Sequence, residues 1–198
     1  DIVLVDLPGT YSLRARSAEE RLTREFLRAG EADAVILVAD AGCLERGLNL
    51  VLQTLALCPN AVLCLNLMDE ARKKGVEIDV PALERELGIP VVPCAARSGR
   101  GLDALRRAIH RAVEHKTDCH PAVVRLPADI EQAAAQTGLP RADALDALTL
   151  SPPEGYTAES FSDTLTAFAA LRAEEIALTC VRVPADALER DRRIDRVV

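Results

Sequence analysis

The sequence predicts an open, mostly parallel α/β sheet with helices on both faces, followed by a small all-helical domain. Apolar runs of strand length recur at residues 1–5 (DIVLV), 34–39 (AVILVA), 61–66 (AVLCLN) and 90–94 (PVVPC). Each is apolar throughout rather than alternating, as expected of strands covered on both faces. Helical patterns fill the gaps, and alternation of strand and helix is the mark of a parallel sheet built from crossovers. Beyond about residue 118 the strand runs stop and only helical patterns follow. The expected division is residues 1–118 for the α/β part and 119–198 for the helical part.

In chain order, the first strand run ends in Asp6-Leu7-Pro8-Gly9. Ser17 with Glu20 makes a capping box that opens a helix with Leu22, Phe26 and Leu27 on one face, and Gly30 is placed to end it. Residues 44–57 make the helix after the second run. Asp79 followed by Pro81 starts another, closed near Gly88, and Leu102, Leu105, Ile109 and Val113 share a face of the helix after the fourth run. In the second part, helices are expected over 127–136, 140–150 and 158–183, with a turn at SPPEGY and with Pro184 restarting a last helix.

Composition narrows the function. The chain has 198 residues, 49% hydrophobic but only 3% aromatic, so its core must be packed from aliphatic side chains. A formal net charge of −7 argues against a nucleic-acid surface, and residues 120–198, with 8 basic against 13 acidic side chains, carry most of it. The closing stretch RDRRIDR reverses that sign, as a solvated helix end does and as a segment entering a membrane from the cytosol does. Six cysteines (43, 58, 64, 94, 119 and 180) include no CxxC pair and read as reduced cytosolic thiols. Cys119-His120, with His110 and His115 near in sequence, lacks a second ligand cluster and reads as surface and linker rather than metal. No apolar run reaches the roughly 18 residues a membrane span needs. Both ends read as cut: the chain starts without Met inside a strand pattern and stops at RRIDRVV.

In open α/β sheets ligands sit beyond the carboxyl ends of the strands, so the polar residues after each apolar run are the informative ones. At the first tip, the Asp6 carboxylate can hold Mg²⁺ through water, and Gly9 lets a backbone N–H approach a terminal phosphate oxygen. At the third, the Asp69 carboxylate can accept the N1–H and N2–H of guanine, while the Asn66 amide can bind N7 and tie neighbouring loops together. The alternative there is an Asn-capped helix start. At the fourth, Ala95-Ala96 is a small turn through which a backbone N–H reaches guanine O6, and Gly99 and Gly101 let the chain swing into the next helix. Each motif alone is weak; in this order on one sheet they point to a guanine-nucleotide site.

DLPGTYSL, SAEERLTREFL, NLMDEARKKGV and PVVPCAARSGRGLDAL resemble the cytosolic GTPase domain of the bacterial ferrous iron transport protein B family over about residues 1–118. The remainder resembles, more loosely, the helical guanine-nucleotide dissociation-inhibitor domain that follows it in that family, and IDRVV resembles the lead-in to the membrane permease. The resemblance implies a P-loop-GTPase-like fold, GTP or GDP with Mg²⁺ as ligands, the permease of the same parent chain as partner, and the cytoplasmic face of the bacterial inner membrane as location. A homo-oligomer stays open, and no nucleic-acid partner is implied. By that likeness Asp6 and Gly9 belong to the switch that senses Mg²⁺ and the γ-phosphate, residues 10–17 are its moving part, Asn66 and Asp69 read the base, Ala95 stands for the serine of the base turn, and Ala96 offers its N–H. Thr10 takes the place of a water-orienting glutamine, which implies slow hydrolysis or help from another group. Leu67 stands where related GTPases keep a lysine over the base, which implies weaker binding and quicker exchange.

No GxxxxGKS or GxxxxGKT occurs in these residues, and the threonine switch upstream of DxxG is also absent. In this fold the strand before that loop lies between the first two apolar runs, so both are expected to lack a partner on facing edges. The expectation is a fragment that folds poorly and does not hydrolyse GTP alone. Two other readings compete: a ribosome-associated or assembly-type GTPase, disfavoured by the acidic second part, and a degenerate non-hydrolysing binding module.

Overall fold

The computed structural model describes residues 2–8, 17–114 and 119–184. In chain order the elements are α1 (Ala18–Ala29), β1 (Val35–Asp40), α2 (Leu44–Leu57), β2 (Ala61–Asn66), α3 (Met68–Lys73), β3 (Glu77–Ile78), α4 (Val80–Leu87), β4 (Val91–Pro93) and α5 (Leu102–Val113). They continue with α6 (Ala128–Gln136), α7 (Arg141–Leu150), α8 (Ala158–Cys180) and β5 (Val181–Arg182). The main sheet is parallel in the order β1-β2-β4, with Val35 opposite Ala61, Asp40 opposite Asn66 and Leu63 opposite Val91.

Helices cover both faces. On one, Leu37, Leu63, Leu65 and Val91 pack against Leu48, Val51, Leu52 and Leu55 of α2 and Leu83 and Leu87 of α4. On the other, Val62, Cys64, Val92 and Cys94 meet Ala108 and Ala112 of α5. Two-sided burial holds for β2, buried from Ala61 to Leu65, and explains why its run does not alternate, whereas β1 is covered less completely and leaves Val38 exposed. The same core takes in Ala173, Ile176 and Cys180 of α8, so the helical part shares its interior with the sheet.

Local signals act as expected at most element ends. Ser17 accepts from the Glu20 amide (3.1 Å) and Glu20 reaches back to the Ser17 N–H, completing the box. Asp79 accepts from the Ala82 amide (2.9 Å), with Pro81 in the first turn of α4. The face of α1 differs: Thr23 and Leu27 are buried, Phe26 is half-buried and Leu22 is exposed, in a helix that packs on α2.

Two expectations are corrected. The strand expected over residues 1–5 is not formed by the described part of it: residues 2–8 carry no ladder, and Ile2, Val3, Leu4 and Val5 are exposed. A strand exists only with a partner, and within the described residues β1 is paired on one edge alone, to β2. Strands also do not stop at 118, since β5 pairs antiparallel with β3, Glu77 opposite Arg182 and Ile78 opposite Val181. So short a ladder leaves no periodicity to read. The helix expected after Pro184 lies outside the described residues.

The helical part is locked by one arginine. Arg141 holds both oxygens of Glu131 (2.6 and 3.1 Å) and the Val124 carbonyl (2.7 Å), while Glu131 also accepts from the Leu126 amide (3.1 Å). The bond from Arg141 holds the Glu131 carboxyl below its ordinary value of 4.5; burial opposes it, and the Leu126 bond and the Arg141 charge add to the lowering. A lowered folded value means the contribution is present above 4.5 and is lost as pH falls through the lowered value. Glu131→Gln is therefore expected to flatten the acid side of the stability–pH curve, measured by urea unfolding between about pH 3 and 6. Parallel curves for the two proteins would rule this contribution out.

Candidate functional site

Parallel register brings the carboxyl ends of β1, β2 and β4 to one edge of the sheet, with Asp40 beside Asn66 and Leu65 beside Pro93. Beyond β2 the chain turns at Leu67 into α3, whose first turn carries Asp69. Beyond β4 it passes through Cys94 and Ala95 into a short 3-10 turn (Ala96–Ser98), then through Gly99 and Gly101 into α5. Backbone bonds stitch the two exits together, Cys94 N–H to Leu65 O (2.7 Å) and Met68 N–H to Cys94 O (3.1 Å), while Ala95 N–H to Arg100 O (3.0 Å) closes the turn beyond β4 on itself. Asn66 completes the join, its Oδ1 accepting from the Ala96 N–H at 3.0 Å.

Asn66, Asp69, Ala95 and Ala96 are thus brought to one end of the sheet. Asn66 and Asp69 are half-buried, Ala95 is buried and Ala96 exposed. Asn66 is not a helix cap; the residue at that position of α3 is Leu67, without a side-chain bond. The Ala96 N–H, expected to face the base, is here donated to Asn66. Asp6 is exposed in the unpaired segment 2–8. Gly9 lies outside the described residues, as do Thr10 and the rest of the expected moving part up to residue 16.

Sequence reading passed over Asp40, a further carboxylate at a strand tip. Its Oδ1 accepts from the Gly42 amide (2.7 Å) and caps the turn into α2. The signal was Asp-Ala-Gly directly after an apolar run, the pattern of an Asx turn. Beneath the tips, burial and then the neighbouring Cys94 thiol push the Cys64 thiol up to about 12, so it stays protonated and serves as packing.

A cavity of about 150 Å³ lies elsewhere, among α1, α2, α7 and α8, lined by Leu52, Leu57, Leu126, Leu145, Leu165 and Ala169. None of its lining comes from the strand-tip turns. At its border α1 is held to α7 by charge: Arg24 pairs with Asp146, and Arg28 with Asp146 (2.6 Å) and Asp143 (3.3 Å). Asp146 is 12% exposed and Arg24 24%. Asp146→Ala would strand the Arg24 guanidinium and leave Arg28 with Asp143 alone, and is expected to cost about 1–2 kcal/mol, between the exposed and buried limits for such pairs. Faster amide exchange in α1, reproduced in the unaltered protein by high salt, is the expected readout. Unchanged exchange in α1 would mean that its packing on α2 suffices.

The sequence model of the family described as "Ferrous iron transport protein B" matches residues 1–109, more than half of the chain. This chain belongs to that family. The Fe(2+) transporter FeoB of Salmonella typhimurium is 46% identical over 114 residues, and that of Escherichia coli K12 is 43% identical over the same length. Each match covers 56% of this chain, which spans 15% of the length of those relatives. Among solved structures, the cytosolic domain of the T. maritima FeoB iron transporter in a GDP form superposes with a TM-score of 0.79 at 28% identity, covering 89% of this chain and 79% of that one. The FeoB G-domain of Methanococcus jannaschii is 44% identical, with a TM-score of 0.54 over 56% of this chain and 70% of its own. The fold is that of the FeoB cytosolic domain, and the ribosome-associated reading falls away. Among the described residues no helix is long and apolar enough to cross a membrane.

Proposed function

We propose that this chain is the guanine-nucleotide-binding cytosolic part of a ferrous iron transporter at the cytoplasmic face of a bacterial inner membrane. Nucleotide state biases Fe²⁺ passage through a permease domain of the same parent chain. Residues 1–118 form the nucleotide-binding part and 119–198 the dissociation-inhibitor-like part. The observation that carries the reading is the bond from the Ala96 amide to Asn66 (3.0 Å), which joins the 95–96 turn to the exit of β2, where Asp69 follows in the first turn of α3. There the Asp69 carboxylate accepts guanine N1–H and N2–H, the Asn66 amide donates to N7, and the Ala96 N–H is shared between Asn66 and O6 as a three-centre bond. Adenine shares the N7 acceptor but presents an acceptor at N1 and a donor at C6, so it satisfies neither the Asp69 carboxylate nor the Ala96 N–H.

Asp6 and Gly9 lie on the phosphate side of the site in this reading. Mg²⁺ comes with the nucleotide phosphates, and Asp6 is the carboxylate offered to it through water. One exposed carboxylate does not enclose the ion, the described residues hold no cluster of three or more His, Cys, Asp or Glu, and no step is derived through the metal. Hydrolysis is not assigned to this chain, which carries no GxxxxGKS or GxxxxGKT loop.

The test is binding of GDP against ADP by saturation-transfer NMR, which reads weak complexes. A response to GDP that exceeds that to ADP and disappears in Asn66→Ala supports the base site; equal responses to the two nucleotides overturn it. The transport half is tested by Fe²⁺ uptake in a bacterium lacking its own uptake system, with the parent gene carrying Asp69→Asn. Uptake equal to that of the unaltered gene would separate transport from the base site.

A further inference from the structure

Leu67 is the only non-glycine residue with positive φ among those described (φ 60°, ψ 29°). Leucine gains nothing from this left-handed region, where its Cβ crowds the backbone and it has no polar group to bond locally. Helix starts normally take an extended residue whose side chain caps the first turn. The chain follows that rule at α1 and α8, where Ser17 (φ −97°, ψ 167°) and Thr157 (φ −94°, ψ 163°) are extended and each caps its helix with its own hydroxyl; the other left-handed helix start, before α5, is a glycine, Gly101. Leu67 breaks both parts of the rule between Asn66 and Asp69, and strained backbone of this kind persists only where its surroundings over-determine it.

The surroundings do so from both sides. Asn66 is tied through its side chain to the Ala96 amide (3.0 Å), and the Met68 amide is tied to Cys94 O (3.1 Å). The residues before and after Leu67 therefore bond to the same turn beyond β4. The chain must also reverse into α3 at once, since the Glu70 and Ala71 amides both bond to Leu67 O (3.0 Å each). A left-handed residue at 67 meets both demands, and it sets Asp69 in the first turn of α3, next to Asn66, rather than further along.

We propose that the left-handed turn at Leu67 is the positioning device for the Asp69 carboxylate, so that the backbone preference of residue 67 sets discrimination between guanine and bases lacking the N2 amine. The inference rests on the base-site reading above and adds to it a residue that touches no base through its own side chain.

The experiment compares Leu67→Val, Leu67→Asn and Leu67→Gly in this chain, measuring the ratio of GDP to IDP binding by NMR titration and the urea midpoint of each variant. Hypoxanthine lacks the N2 amine, so the ratio reads the Asp69 contact. A β-branched residue resists the left-handed region, whereas asparagine and glycine enter it readily. Leu67→Val is expected to lower the ratio about tenfold, a loss of roughly 1.4 kcal/mol, with Leu67→Asn rescuing it and unfolding at higher urea than the unaltered chain. An unchanged ratio in a folded Leu67→Val overturns the proposal, as does an equal loss in Leu67→Asn. If Leu67→Val does not fold, Leu67→Asn and Leu67→Gly decide: a kept ratio with a raised midpoint supports the proposal, and a lost ratio or a lowered midpoint in Leu67→Asn overturns it. No preference for GDP over ADP in the unaltered chain would instead sink the base-site reading, and this inference with it.

Discussion

Asp69→Asn is expected to lower guanine-nucleotide affinity by roughly 30- to 1,000-fold and to turn the preference toward xanthine. Guanine offers two parallel donors, N1–H and N2–H, and a carboxylate meets them with two acceptors and a full negative charge. Asparagine keeps one acceptor and presents an N–H₂ group to the N2 amine, donor against donor. Xanthine carries a carbonyl at that position and accepts from the same amide. The size of the effect follows from truncating one side of a charged, bidentate contact, about 2–4 kcal/mol. Asp69 is half-buried in the first turn of α3, where solvent compensates the loss only in part. Competition between GDP and XDP, read as a ratio by NMR titration, is the measurement. A variant that still prefers GDP as strongly as the unaltered chain would remove Asp69 from the base site.

Gly88→Ala is expected to cost about 3–5 kcal/mol, a large part of the stability of an ordinary domain. Gly88 ends α4 with φ +66°, and a Cβ there would lie 1.7 Å from the His120 carbonyl oxygen and 2.5 Å from its carbon. The segment it would collide with is fixed from two sides: the His120 amide bonds to Gly88 O (3.0 Å) and the Ala122 amide to Leu87 O (2.9 Å). It also carries Cys119, Ala122 and Val124 onto the main core. Moving it forfeits about 1 kcal/mol for each backbone bond and about 1–2 kcal/mol for the left-handed residue, before any loss of packing. Gly30→Ala is the control, since Gly30 has a similar φ of +67° but open space around its Cβ position. It is expected to cost only the backbone share. Equal urea midpoints for the two variants would show that the 119–124 segment yields without loss.

Much of the candidate site was legible before the fold was known. Parallel strands joined by helices must deliver their carboxyl ends to one edge, so Asn66, Asp69 and the 95–96 turn could be grouped from spacing alone, and the structure joins Asn66 to that turn through one side-chain bond. What the pattern could not carry was the state of each donor. The Ala96 N–H is engaged by Asn66, and the chain turns into α3 through a left-handed leucine that the sequence NLMD does not mark. Asp6 was assigned to a strand tip on the strength of an apolar run, but residues 2–8 form no ladder. A run of apolar residues records readiness for burial, whereas a strand requires a neighbour.

The sequence by itself determined the elements whose signals are local. The capping box at Ser17, Asp79 with Pro81 before α4, and the apolar runs of β1, β2 and β4 each fix an element within a few residues, because caps, turns and burial periodicity act over one or two turns of chain. Tertiary structure alone decided how the helical part joins the sheet. The buried face of α8 is Phe161, Ala169, Ala173, Ile176 and Cys180, set in a helix of alanines, leucines and threonines whose composition marks no side as inward. The C-terminal part of that face, Ala173, Ile176 and Cys180, enters the sheet's core, with α8 packed on α2, and the chain beyond it closes on β3 as β5. Contacts between segments about a hundred residues apart depend on which surfaces remain uncovered once the local elements have formed, and no local pattern records that.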